Sequence, residues 1–385
     1  MTPPAPDGLE QAVAASFARG GALARADPGY VERKVQLDMA QAVAQAIEAR
    51  SVLVVEAGTG VGKTFAYLVP TLLSGARALV STATKSLQDQ LFLRDLPRLR
   101  DALALPLTLA LLKGRASYLC LHRLTLARES DQLPDRWAVR ALARIERWAQ
   151  TTASGDLAEV DGLDERSSLI PLVTSTRENC LGAECPQYRD CHVMKARREA
   201  MAADLVVVNH HLFFADMSLR DTGVAELLPS VDVAVFDEAH QLAEAGIAFL
   251  GTTLGSAQGV DLARDVLAAG LQHARGLQDW STLAGACDRA ARELRIGAVG
   301  PLGEVRGAFK LRWDERAGEA GFVAALGGVE RAFAAAADAL DAVAETDPDL
   351  AKLHERSADL AARARQFAQP APPGKVRWID LSPHQ

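Results

Sequence analysis

The 385-residue sequence has no uncharged run long enough to cross a bilayer. The longest, Ala245 to Val260, is sixteen residues with four glycines, whereas a membrane helix needs about 20 mainly apolar residues. No membrane span is expected. A basic excess is also missing: 42 Lys and Arg face 49 Asp and Glu, for a net charge of −7, so any nucleic-acid site has to be local. Lysine is scarce at eight of the 42 bases. The resulting arginine excess lies on an alanine-rich background, and no function is read from it. The start, MTPPAPDGLE, is acidic and proline-rich where a secretory leader would be basic and then apolar, so the cytoplasm is the expected compartment. No internal repeat is evident. There are only five cysteines, an odd number, and three of them fall within twelve residues. In a cytosolic chain that clustering points to metal or cluster ligation before disulfide pairing.

What is present is ordinary globular sequence, 49% hydrophobic and 24% charged, in a length that predicts two or three domains. Short apolar, β-branched runs occur at Val52 to Val55, Arg77 to Ser81, Leu107 to Leu111, Leu205 to Val208 and Val231 to Phe236. They read as buried parallel strands. Helical periodicity over Phe65 to Leu73 and Ser86 to Leu93 makes the expected unit a doubly wound α/β sheet. A long interruption, about Ser117 to Lys195, holds four of the cysteines and reads as an inserted domain. After His240 the strand signals stop, and alanine-rich helical sequence runs to about Ala368 as a second insertion. Pro370 to Gly374 reads as a linker, and Lys375 to Leu381 alternates like a strand. A sheet that resumes there is expected to continue, so the sequence reads as the N-terminal part of a longer protein.

Residues Ala57-Gly58-Thr59-Gly60-Val61-Gly62-Lys63-Thr64 follow a strand signal and open a helical one, the context of a phosphate-binding P-loop. Glycines allow backbone N–H groups to approach phosphates closely at a helix N-terminus. Lys63 would neutralise the β- and γ-phosphates of ATP, and the Thr64 hydroxyl would hold Mg²⁺. Ala57 replaces the usual first glycine, where the residue need only be small. A second signal, Val233 to Phe236 followed by Asp237-Glu238-Ala239-His240, ends an apolar strand in two carboxylates. Asp237 would hold Mg²⁺ by way of water, Glu238 would deprotonate the attacking water, and His240 would sense the γ-phosphate. Arg33 and Gln36 precede the first helix, where a planar amide could read the adenine edge; a surface helix start is the plainer reading.

Cys120, Cys180, Cys185 and Cys191 are separated by 59, four and five residues. Four thiolates suit a [4Fe-4S] cluster or tetrahedral zinc, and the isolated first cysteine argues for the cubane, since zinc ligands come more often as two close pairs. Cys287 stands alone and reads as a core or half-buried residue. Lys113 to Arg147 carries eight bases against four acids. Those bases, with Arg115, Arg123, Lys195, Arg197 and Arg198 beside the cysteines, could track phosphates while Tyr118 or Tyr188 stacks bases, or they form a solvated helix face.

The P-loop, the Asp-Glu-Ala-His box, Ser81-Thr82-Ala83-Thr84 leading to Leu87-Gln88-Asp89-Gln90, Lys113-Gly114-Arg115 before Tyr118-Leu119-Cys120, Asn179-Cys180 and Asn209-His210-His211-Leu212 together resemble the DinG/XPD-type iron–sulfur superfamily-2 DNA helicases, the YoaA-like branch most closely. Ser117 departs from the family's usual Asn. The resemblance implies a RecA-like motor domain in residues 1–115 and 195–245, an iron–sulfur insertion in 116–194, a helical arch in 246–369 and a return to the motor domain in 370–385. It further implies a [4Fe-4S] cluster on the four cysteines, single-stranded DNA as partner, strand contacts from Thr82 and Thr84, a part in DNA repair or replication, and a second RecA-like domain downstream. Three readings stand side by side: a helicase motor, a half-motor that binds ATP and DNA without unwinding, and a zinc-stabilised P-loop ATPase with no DNA role.

Overall fold

In a computed structural model of the chain, the described residues are 8–27, 29–129, 136–164, 167–221, 227–303 and 307–382. They fall into two compact units. The first comprises Met1–Tyr118, Ala153–Gly155 and His192–Gly251; the second comprises Leu119–Thr152, Asp156–Cys191 and Thr252–Gln385.

The first unit is built on a parallel sheet of β1 (Ala78–Thr82), β2 (Leu109–Leu111), β3 (Leu205–Asn209) and β4 (Val233–Phe236), in the order β2-β3-β1-β4. All five residues of β1 are buried, as a strand covered on both faces requires. Ala78 pairs with both Leu205 and Val233, which sets the register. Asp204 ties β2 to β3 by accepting from the backbone N–H of Thr108 at 2.8 Å and from its hydroxyl at 2.7 Å. Those bonds hold the Asp204 carboxyl below its usual range. The helix Lys63–Leu73 buries Ala66, Leu68, Val69 and Leu72, and the helix Lys34–Glu48 packs on it through Ala40 and Ala44, which are fully buried. Side chains this small let two helix backbones approach closely. The helical stretch that begins at Lys85 is longer than its periodicity suggests. After Gln90 it widens into a π-turn at Leu91–Asp95 and resumes over Leu96–Ala102.

The second unit has two apolar centres. Four long helices, Ser256–His273, Trp280–Val299, Ala320–Asp341 and Pro348–Ala368, surround Leu262, Val266, Trp280, Phe333, Leu350 and Leu360. A smaller cluster under the cysteine-bearing segment gathers Leu119, Leu142, Ile145, Leu169 and Val173. Packing is tight enough that a Cβ added at Gly270 would overlap the Trp280 ring. The helix Ala320–Asp341 is long and apolar enough to cross a membrane, but here Phe322, Leu326, Val329, Phe333 and Leu340 are its buried face within the bundle. Arg316, 5% exposed, donates to the carbonyls of Ala298 at 3.0 Å and Val299 at 3.1 Å, capping the end of the preceding helix.

Two expectations are corrected. Val52 to Val55 is not a strand: the segment lies outside the sheet, with Val52 94% and Val54 90% exposed. A β-branched run becomes a strand only when an edge pairs with it, and propensity does not supply that partner. The strand signal over Lys375 to Leu381 shortens to β6 (Trp378–Leu381), which pairs antiparallel with β5 (Phe309–Arg312) inside the helical unit instead of returning to the parallel sheet. β5 supplies an edge that sequence reading did not foresee.

Candidate active site

The P-loop emerges from the sequence's own turn chemistry. Gly60 and Gly62 have φ of 80° and 88°, a left-handed backbone open chiefly to glycine. Gly62 then caps the helix Lys63–Leu73. No backbone N–H from Gly58 to Lys63 is taken up by a protein acceptor among the described residues. The result is a row of free donors at a helix N-terminus, where the helix dipole favours an anion. Lys63 Nζ donates to the Ala57 carbonyl at 3.2 Å and stands 3.8 Å from Glu238 Oε1, so the loop cation and the proposed base share one space.

Arg33 and Gln36 brace this loop. The Gln36 amide, 6% exposed, donates to the Gly62 carbonyl at 2.9 Å, and the Arg33 guanidinium donates to the Gly60 carbonyl. In this structure the Gln36 amide is therefore spent on the backbone of the phosphate loop and does not present an edge to a base.

The two carboxylates follow β4. The Asp237 N–H donates to the Ser81 carbonyl at 2.9 Å, which carries the sheet's hydrogen bonding one residue past the strand. Glu238 turns the chain sharply, with φ of 55°. A left-handed conformation is unusual for a residue with a Cβ and costs roughly 1 kcal/mol or more. His240 is exposed, its Nδ1 3.5 Å from Glu238 Oε2. Tyr67, which sequence reading missed, donates its hydroxyl to Asp237 Oδ2 at 3.2 Å. Burial, followed by the Asp237 charge, pushes this phenol far above its ordinary range, so it stays a donor to the carboxylate. The available signal was its place one helical turn after Lys63, on the face that turns toward the sheet.

The other quoted motifs meet at the carboxyl ends of the strands. Gln88, fully buried, donates to the Leu112 carbonyl at 3.3 Å and accepts from the Asn209 amide at 3.4 Å. Asp89 pairs with the buried Lys113 at 2.6 Å, and the Lys113 N–H donates to the Tyr118 hydroxyl at 3.0 Å. Thr84 caps the helix Lys85–Gln90 by accepting from the Leu87 N–H at 3.3 Å. Tyr118 is buried and held by this hydrogen bond, leaving Tyr188, 37% exposed, as the accessible stacking candidate.

The second unit holds all four clustered cysteines. Burial raises the thiol pKa values of Cys120 and Cys185; Cys180, Cys185 and Cys191 add to the first shift, and Cys180 and Cys191 to the second. Among the described residues, the His, Cys, Asp and Glu donors that close to within 4.8 Å in a group of three are His273, Asp347 and Asp349, not the cysteines. Those carboxylates already have partners: His273 pairs with Asp347 at 3.1 Å and His122 with Asp349 at 2.9 Å. Cys287 lies apart in the helical core, fully buried, and burial pushes its thiol up to about 11.

Residues 35–122, which carry the phosphate loop, match the family model described as DEAD/DEAH box helicase. Over 308 residues the chain is 42% identical to the ATP-dependent DNA helicase YoaA of Haemophilus influenzae, covering 80% of this chain and 48% of that protein. Identity to YoaA of Escherichia coli is 46% over 296 residues, with 75% and 46% covered. The ATP-dependent helicase DinG of Mycobacterium tuberculosis is 42% identical over 261 residues, with 61% and 38% covered. The chain is similar in sequence to these proteins and spans less than half the length of each.

Proposed function

We propose that this chain is the nucleotide-binding part of an ATP-driven motor that moves on single-stranded DNA, with a [4Fe-4S] cluster in its inserted segment and a second RecA-like domain needed for unwinding. The observation that carries the motor reading is the meeting of the free N–H row, Lys63 and Glu238 in one site. ATP phosphates would lie on the N–H groups of Gly58 to Lys63, displacing the Lys63 ammonium from its carboxylate neighbour. Thr64 and Asp237 offer oxygen donors to Mg²⁺, which would neutralise phosphate charge. With Lys63 drawn to phosphate, the Glu238 carboxylate is free to take a proton from water. Thr82 ends β1 and Thr84 lies two residues beyond it; both would contact the DNA backbone.

The cysteines fit the cubane better than zinc. A tetrahedral zinc with Zn–S bonds of about 2.3 Å brings its sulfurs to roughly 3.8 Å apart, closer than any three of these cysteines stand among the described residues, while the thiols of Cys180, Cys185 and Cys191 are all near enough to act on Cys120. Cys120, Cys180, Cys185 and Cys191 would hold the cluster, which would cross-link segments distant in sequence.

The test is nucleotide binding and hydrolysis in protein extended to the length of its relatives. Lys63→Ala should weaken ATP binding at least tenfold. Glu238→Gln should keep binding and lower the hydrolysis rate by about 10²–10⁴, the usual worth of a positioned base. Unchanged affinity in the first variant, or a normal rate in the second, defeats the assignment.

A further inference from the structure

One buried titratable side chain has no role in the site described above. His210 begins the helix His210–Asp221 directly after β3 and is 1% exposed. Its Nδ1 lies 2.7 Å from the Oγ of Ser81, a fully buried residue of β1. Its Nε2 is buried and has no hydrogen-bond partner, although the ring lies beside the backbone of Asp237 and Glu238 and 6.3 Å from the ring of Phe236. The Ser81 hydroxyl takes up Nδ1, which leaves Nε2 as the ring nitrogen available to another partner. A buried Nε2 with no hydrogen-bond partner, in a ring set beside the backbone of Asp237 and Glu238, is an unfinished contact.

Ser81 closes the triangle. Its carbonyl accepts from the Asp237 N–H at 2.9 Å while its hydroxyl engages His210. It is also the residue immediately before Thr82 in the segment proposed to touch DNA. Asn209, next to His210, is fixed on both sides, by Gln88 at 3.4 Å and by capping the Leu212 N–H at 2.8 Å. The imidazole therefore has little freedom to move away, whereas the Asp237–Glu238 turn is held in a left-handed conformation that needs support.

We propose that His210 is a positioning residue that couples the strand-contact end of β1 to the hydrolytic turn. When DNA draws the end of β1 into place, Ser81 sets the imidazole, and the Nε2–H completes a hydrogen bond to a backbone carbonyl of Asp237 or Glu238. That bond fixes the direction of the Glu238 carboxylate. This coupling rests on the reading of the chain as a DNA-driven ATPase.

The experiment uses the protein at the length of its relatives, with its cluster loaded, and measures ATP affinity, single-stranded DNA affinity and kcat with and without saturating single-stranded DNA. His210→Ala should lower the DNA-stimulated kcat at least tenfold while both affinities stay within about twofold. His210→Gln, whose amide can accept from Ser81 and donate to the turn, should recover most of that loss. Ser81→Ala, a smaller change for the fold, should lower DNA stimulation about threefold at unchanged ATP affinity. Wild-type stimulation in His210→Ala or in Ser81→Ala overturns the coupling, as does a parallel fall of both affinities and kcat in the Ala and Gln variants alike. Wild-type protein that hydrolyses ATP with no response to DNA overturns the motor reading itself, and the coupling falls with it.

Discussion

The two units are held together in different ways. In the sheet-bearing unit the decisive side chains are polar and bind backbone: Gln36 on Gly62, Gln88 on Leu112, Asp204 on Thr108 and Arg33 on Gly60. In the helical unit the centre is apolar, built on Trp280 and Phe333, and beside side-chain bonds to backbone, such as Arg316 on Ala298, it carries long-range links that join side chain to side chain. Asp265 lies between Arg123 at 3.4 Å and Arg356 at 2.8 Å, and Glu178, two residues before Cys180, accepts from Gln258 at 3.0 Å with Arg356 at 3.8 Å. A side chain that binds backbone fixes loop geometry at one position. Ion pairs between elements fix which elements lie together, and such pairs contribute more to specificity than to net stability. The first pattern suits a site that must hold a phosphate loop in one shape, and the second suits a body that must keep the cysteine-bearing segment attached to a helical bundle.

The largest expected effect tests the apolar side of this contrast. Phe333→Ala should destabilise the helical unit by about 3–5 kcal/mol, the cost of emptying a fully buried aromatic site, while ATP binding by the sheet-bearing unit persists. Thermal unfolding followed beside nucleotide binding checks it, and simultaneous loss of both would show that the units do not hold separately. Next comes the cysteine site. Cys185→Ser should remove the iron, about four atoms per chain for one cubane, whereas Cys287→Ser should leave it, because that thiol is sequestered in the bundle; iron analysis and the visible absorption decide between them. The smallest effect lies beside the phosphate loop. Tyr67→Phe removes one hydrogen bond to Asp237, worth about 1 kcal/mol, and should weaken ATP–Mg²⁺ binding roughly fivefold. An unaltered affinity would detach Tyr67 from the site.

Legibility followed the same division. The phosphate loop, the carboxylate turn and the polar stretches around Gln88, Lys113 and Asn209 could be read from sequence because each does its work over a short, fixed spacing. Their convergence at the strand ends follows from parallel strands, whose carboxyl ends all lie on one side. Val52 to Val55 misled because a strand is a property of two edges and the sequence shows only one. The docking of Trp378–Leu381 on Phe309–Arg312 was invisible for the same reason. Glu178 and Arg356 are 178 positions apart, both are common residue types, and no local pattern marks them as partners. Tyr67 lay within an apolar helical run, where its hydroxyl was indistinguishable from one that reaches solvent.

The bond between Gln36 and Gly62 has a further consequence, for inheritance. A Cβ at position 62 would fall on the Gln36 amide, and that amide holds the loop carbonyl from 26 residues away. Neither position drifts freely: a side chain at 62 evicts the amide, and a shorter residue at 36 removes the side-chain brace and leaves the Gly62 carbonyl only its helix N–H partners, Phe65 and Ala66. The two should change together or stay fixed across descendants of this sequence, so that a glycine usually explained by phosphate access is also kept by a glutamine.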